Sequence, residues 1–330
     1  MADKILNWGF LSTARINRAL VAPLQVSKRN HLLAVGSRSQ EAADMYAKEQ
    51  KKILRAYGSY ESLLADRDLD VIYISLPNHL HAEWTIKAVE AGKHVLCEKP
   101  LALSVPEVDA IQAAARTHDR VVAEAFMYRH HPQTLKVLEI VKSGSLGTMK
   151  LIRGSFSFVL AREGDVRLDP NKGGGSIWDL GCYPISYART VIGEAPLEVF
   201  GQQVTGETGV DLTFVGQMRF REDIHAQFDS SFVIPLHSFM EIVGSEGTLN
   251  VPRPFKPGQN ERVFLTRGKQ TETIKIKGQE LYLGEVEDMA DAILLGREQR
   301  ISLDDSRVNV AVIRALLDSA KSNHPMKLNL

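Results

Sequence analysis

From residue 4 to about residue 125, short apolar runs alternate with stretches of helical periodicity. KILNWGFL, HLLAVGS, LDVIYISLP, KHVLCEK and RVVAEAF read as strands, and EAADMYAKEQ, AEWTIKAVEAG and VPEVDAIQAAARTHD read as helices between them. Strands that are apolar nearly throughout suit a parallel sheet covered on both faces. The pattern therefore predicts a doubly wound α/β domain of Rossmann type.

After HHPQTLKVLEIVKSG, a helical stretch ending at Gly144, the texture changes. Strand candidates follow one another at 148–160, 197–205, 211–221, 225–234, 238–244 and 247–252, and strands without intervening helices imply an antiparallel sheet. The expected organisation is a nucleotide-binding domain at 1–125 and, at 126–330, an α+β domain with a large, mainly antiparallel open sheet. Helical patterns return at ELYLGEVEDMADAILLG and at ISLDDSRVNVAVIRALLDSAKS, where Ser302 and Asp305 have the spacing of a capping box. The proline-rich loop VPRPFKPGQNE reads as a surface excursion.

Composition narrows the function classes. Forty basic residues balance forty acidic ones, so no global field attracts nucleic acid or an anionic membrane, and a neutral small molecule is the expected ligand. Two cysteines, Cys97 and Cys182, are too few for a disulfide framework, and Cys182 reads as a small buried apolar residue. No apolar run approaches the roughly 20 residues of a membrane span. A cytoplasmic protein is expected.

In a doubly wound domain the turn after the first strand faces the ligand. Here it is LSTARIN, residues 11–17, with Ser12, Ala14 and Asn17 at the three positions of a G-x-G-x-x-G fingerprint. The fingerprint is degraded, but small residues at its first two positions let backbone approach a pyrophosphate, with Ser12, Thr13 and Arg15 adding donors and Ile16 completing the turn. At the end of the second strand, where NAD-binding forms carry an acid, stand Ser37 and Arg38. An arginine forks onto a 2′-phosphate that a carboxylate would repel, which predicts NADP over NAD.

Further on, GGGSIWDLGCYPI sets three glycines before a stretch that places Asp179 and Tyr183 four residues apart, one helical turn. On its own this fits an ordinary amphipathic helix as well as a site. Together with SLPNHLHAEWTIKAVEAGKHVLCEKPLAL at 75–103 and EAFMYRHHP at 124–132, it resembles the glucose-fructose oxidoreductase, inositol dehydrogenase and rhizopine-catabolism oxidoreductase family. The tyrosine in DLGCY resembles the branch that holds NADP-dependent D-xylose dehydrogenases, dimeric dihydrodiol dehydrogenases and glucose-fructose oxidoreductase.

That resemblance implies specific roles. Lys99, flanked by Glu98 and Pro100, matches the family's catalytic lysine, Asp179 its helix acid and Tyr183 its proton-transfer residue. Leu76, Pro77 and Asn78 fall near the cofactor, with His81 opening the next helix; Arg129 and His131 fall on the nicotinamide or substrate side. Two departures stand out: the phosphate turn lacks its glycines, and His130 stands where the branch more often has an aromatic residue.

Oxidising a hydroxyl with a nicotinamide requires removal of the O–H proton as hydride leaves carbon. A tyrosine, with an ordinary pKa of roughly 10, needs a neighbouring positive charge to do this near neutral pH. Lys99 is the expected supplier, and Asp179 is expected to bind a sugar hydroxyl or hold Lys99. His79, His81, His130 and His131 form two separated pairs without matching carboxylates or cysteines, so no metal is expected. The leading expectation is an NADP-dependent sugar oxidoreductase of the aldose 1-dehydrogenase kind. Alternatives are a trans-dihydrodiol dehydrogenase or keto-sugar reductase and, in a different class, a non-catalytic NADP sensor, which would not need both Lys99 and Tyr183. The wide second sheet, and the family's habit, suggest a homodimer or homotetramer.

Overall fold

The computed structural model describes residues 4–50, 53–162 and 164–328. It divides into two compact units: the chain up to His130 with Tyr282–Arg307, and His131–Leu281 with the chain from Val308 onwards.

The first unit holds strands β1 (Leu6–Leu11), β2 (Asn30–Gly36), β3 (Arg55–Tyr57), β4 (Val71–Ile74), β5 (His94–Glu98) and β6 (Val122–Ala125). All pair in parallel, in the order β3-β2-β1-β4-β5-β6. Helices α1 (Arg18–Val26), α2 (Gln40–Gln50), α3 (Tyr60–Leu64), α4 (His81–Glu90) and α5 (Val105–His118) connect them, giving the doubly wound topology the alternation predicted. Fully buried Trp8, Phe10 and Tyr73 fill the core, Phe10 meeting Tyr73 edge-on at 5.6 Å.

The second unit contains α6 (Pro132–Lys142), β7 (Met149–Ser157), α7 (Cys182–Ile192), β8 (Glu198–Thr205), β9 (Asp211–Arg219), β10 (His225–Ser231), β11 (His237–Gly244), β12 (Thr248–Val251), β13 (Asn260–Arg267) and β14 (Gln270–Lys277). With β15 (Met326–Lys327) they form a nine-stranded sheet in the order β14-β13-β12-β11-β7-β10-β9-β8-β15. Only β7 and β10 pair in parallel; every other neighbour is antiparallel.

The structure departs from the sequence reading in two places. Residues 126–130 and 282–307 belong with the first unit rather than the second, because α8 (Leu283–Leu295) buries Val286, Met289 and Ala290 in the core that holds Trp8, Leu20 and Tyr73. Helix α9 (Leu303–Ser322) begins as the Ser302 signal predicted, Ser302 Oγ accepting from Asp305 N–H at 3.1 Å. The Asp305 carboxylate accepts from Arg129 at 2.8 Å. Finally, the proline loop is no mere excursion: Phe255 within it is fully buried, 5.0 Å from Phe156 and 5.5 Å from Tyr183.

Candidate functional site

In the first unit the strand order reverses direction between β1 and β4, and ligands of doubly wound folds sit outside the carboxyl ends of the strands at such a switch point. The turn Ser12–Asn17 leaves β1 there. Ser12 and Asn17 are buried, Thr13 and Ala14 half-buried, Arg15 and Ile16 exposed. At the end of β2, Ser37 is buried and its N–H donates to Tyr57 O at 2.9 Å, while Arg38 is exposed. Burial raises the pKa of the Tyr60 phenol, and the nearby Arg38 charge opposes that rise.

Across the switch point β4 runs into Leu76, Pro77 and Asn78, and β5 into Glu98, Lys99 and Pro100. Glu98 is held by the Tyr73 hydroxyl, which donates to it, and by Lys99 N–H at 3.3 Å; burial, with the Glu98 charge adding to it, pushes the Tyr73 phenol far above its ordinary pKa, so it stays a donor. Lys99 is half-buried. His81 opens α4, as the sequence reading has it. Its ring is fully buried, with Nδ1 2.7 Å from Pro100 O and Nε2 2.8 Å from Leu76 O, so it ties the two turns together. Arg129 is also buried and pairs with Asp305 at 2.8 Å. Burial, aided by Arg300 and Arg129, pulls the His130 pKa down to about 3 and keeps that ring neutral.

In the second unit, His131 is the N-cap of α6: Nδ1 accepts from Gln133 N–H at 3.1 Å and Nε2 makes a longer 3.4 Å contact with Gln279 N–H. It is fully buried. A ring engaged in this way supports the backbone at the start of α6.

The glycines before Asp179 are dictated by their surroundings. A Cβ on Gly174 would lie 2.5 Å from Arg167 O, and one on Gly175, whose φ is +123°, would lie 2.2 Å from the Asp211 carboxylate. Asp211 accepts from Ser176 Oγ at 2.7 Å and Ile177 N–H at 2.8 Å. It thereby anchors the start of a π-helical stretch, Ile177–Gly181, that runs straight into α7. Such wider turns often occur at functional sites. Burial pushes Asp211 up to about 6, against the hydrogen bonds that lower it.

Asp179 lies on the π-helical stretch and accepts from Arg167 Nε at 2.7 Å, with Asp165 on the other side of the same guanidinium. The Asp179 charge foremost raises the Arg167 pKa. Tyr183, on α7, is buried with its ring edge-on to Phe156 at 5.2 Å. Lys99 belongs to the first unit, Asp179 and Tyr183 to the second. Sequence reasoning missed Arg167, Asp211 and Phe255. Only Asp211 left a signal there, an acid at the first, buried position of an alternating strand.

Among the described residues, no group of three or more His, Cys, Asp or Glu could hold a metal, and no helix is long and apolar enough to cross a membrane.

A six-stranded parallel sheet in this order, with a strand-to-helix turn at its switch point, defines a dinucleotide-binding Rossmann domain in the first unit, and the second unit holds a broad sheet of its own. A family model described as an oxidoreductase family with an NAD-binding Rossmann fold matches residues 6–126, and one described as the GFO/IDH/MocA C-terminal domain matches residues 134–250. The chain belongs to the GFO/IDH/MocA oxidoreductase family. It is 35% identical to D-xylose 1-dehydrogenase (NADP(+)) 2 of Haloferax volcanii, over 98% of this chain and 99% of that one. Among solved structures it resembles a 3-ketoreductase from Actinomadura kijaniata in complex with NADP and TDP-benzene, at 27% identity and a TM-score of 0.90, covering 96% of this chain and 98% of that one. It shares its fold with an aldose-aldose oxidoreductase from Caulobacter crescentus, TM-score 0.91 at 24% identity, over 98% of this chain and all of the other.

Proposed function

We propose that the chain is an NADP-dependent oxidoreductase that moves a hydride between the nicotinamide and a sugar, oxidising an aldose at its anomeric hydroxyl or reducing a related carbonyl. The observation that carries this reading is the end-to-end similarity to an NADP-dependent xylose dehydrogenase. The donor set at the end of β2 agrees with it. Buried Ser37 and exposed Arg38 offer a hydroxyl and a guanidinium where a ribose-binding carboxylate would exclude a 2′-phosphate.

Bound there, the dinucleotide supplies the hydride acceptor. The chain supplies the rest. Leu76, Pro77 and Asn78, with Thr13, Arg15 and Ile16, border the dinucleotide site, and Glu98, held by Tyr73, fixes the backbone from which Lys99 projects. In this reading the Lys99 ammonium hydrogen-bonds the reacting oxygen and stabilises negative charge on it. Tyr183 takes the hydroxyl proton. Asp179, oriented by Arg167, accepts from a neighbouring sugar hydroxyl. Arg129 helps shape the nicotinamide end.

The test follows reduced-nicotinamide absorbance with NADP and with NAD, against aldoses, inositols and dihydrodiols, for the native protein and Tyr183→Phe. Turnover with NADP and an aldose that collapses in the variant is expected. NADP binding without turnover on any compound would favour the sensor; turnover confined to dihydrodiols would replace the sugar.

A second reading concerns assembly. The second sheet leaves apolar side chains in solvent: Val215 in β9 is 49% exposed, and Leu236, between β10 and β11, 78%. Self-association into a dimer or tetramer through this surface covers them. Two free, buried thiols suit a reducing cytoplasm.

A further inference from the structure

The phosphate turn lacks all three fingerprint glycines, yet its backbone still takes a glycine conformation. Ser12 has φ +138°, a region in which a residue with a Cβ is strained. Something must hold it there, and the residues that surround it form a closed circuit. Asn17 Nδ2 donates to Ser12 O at 2.7 Å. Asn17 Oδ1 accepts from Ser75 Oγ at 2.5 Å. Ser12 Oγ lies 2.7 Å from Ser75 Oγ, and Ala14 N–H donates to Ser12 Oγ at 3.1 Å.

The proton directions follow. Ser75 spends its only hydroxyl proton on Asn17, so between the two serines Ser12 must be the donor. Each hydroxyl then gives once and receives once, and all three side chains are buried. A buried network satisfied in this way fixes one geometry, because leaving any member unpaired is expensive. Asn17 stands at the N-cap of α1, where an asparagine normally bonds to a helix N–H, yet it makes no such bond. Its amide is committed to the turn instead. Ser75 ends β4 and Ser12 follows β1, so the circuit spans the switch point of the sheet.

We infer that Asn17 and Ser75 are positioning residues for dinucleotide binding: their side chains hold Ser12 in the conformation that glycine supplies in the usual fingerprint, and so set the turn Thr13–Ile16 that receives the pyrophosphate. The inference rests on the dinucleotide site of the first unit and is independent of the preference between NADP and NAD. Because both cofactors share the pyrophosphate, losing the circuit weakens both by the same factor, unlike a change at Arg38.

The experiment measures Kd for NADPH and NADH by fluorescence, with kcat at saturating cofactor, for the native protein, Asn17→Ala, and Asn17→Ala combined with Ser12→Gly. Native binding of neither cofactor would reject the dinucleotide reading itself. With native binding present, Asn17→Ala should weaken both cofactors roughly tenfold, the scale of one released backbone strain, while kcat changes much less. Ser12→Gly should restore affinity to within about threefold in the double variant, since glycine adopts the turn without the circuit. Unchanged affinity in Asn17→Ala, no rescue by glycine, or a fall in kcat matching the fall in affinity would each overturn the inference. Should Asn17→Ala not fold, Ser75→Ala with and without Ser12→Gly reads the same circuit from its other side, with the same expected loss and rescue.

Discussion

Replacing Asp211 by asparagine removes a buried ionisable group while keeping an oxygen that can accept from Ser176 and Ile177. Burial is the foremost cause of its displaced pKa, from 3.8 up to about 6. The folded protein therefore binds this proton more tightly than the unfolded chain. The stabilisation is fully present below the unfolded value near 3.8 and is lost as pH rises through about 6. At about 1.36 kcal/mol per pH unit the whole effect is about 3 kcal/mol, of which about 2.4 kcal/mol is lost between pH 4 and pH 7. Other groups titrate over the same window in the opposite sense: burial holds the His94 and His130 rings down to about 4 and about 3, so their contributions gain as pH rises towards 6.5. The native curve alone would blend these contributions, but the difference between native protein and variant isolates Asp211. Urea unfolding at several pH values should show Asp211→Asn gaining on the native protein by about 2.4 kcal/mol between pH 4 and pH 7. A difference that stays constant across that range would refute the reasoning.

Other outcomes follow from neighbouring features. Arg38→Ala should weaken NADP about tenfold or more and leave NAD almost unchanged, the loss of one charge-assisted contact; equal effects on both, by fluorescence titration, would remove the 2′-phosphate role. Phe255→Ala empties a fully buried ring site against Phe156, Tyr183 and Tyr187 and should cost about 3–5 kcal/mol of stability. Loss of turnover in the protein that remains folded would tie the ring to Tyr183. Val215→Lys should shift the protein towards the monomer in analytical ultracentrifugation at micromolar concentration, and an unchanged sedimentation profile would move the interface elsewhere.

The first sheet was legible because its long strands are apolar throughout. β3 escaped because three half-buried residues, Arg55–Tyr57, show no periodicity. β14 escaped for another reason: it is exposed along almost its whole length, so its polar sequence carries no inward-facing pattern. The helix at 283–295 was visible as a helix, but periodicity records an apolar face and not the core that receives it. Lys99, Asp179 and Tyr183 were reached through motifs. Their supports were not, since Arg167 and Asp211 act across gaps in sequence that only the fold closes. For His81 and His131, the sequence displays two potentially reactive imidazoles, and only burial shows that backbone groups already occupy their nitrogens.

The chain passes between the two units three times, at 130/131, 281/282 and 307/308. During synthesis the first sheet is made early, but Val286, Met289 and Ala290, which complete the core around Trp8 and Leu20, leave the ribosome only after the whole stretch from His131 to Leu281. The second unit in turn waits for the chain from Val308 onwards. Folding one domain at a time as the chain emerges, the usual safeguard of multidomain proteins, is closed to this molecule. Its nascent chain carries an unfinished apolar core through most of translation, and a fragment cut at residue 125 would leave that core open.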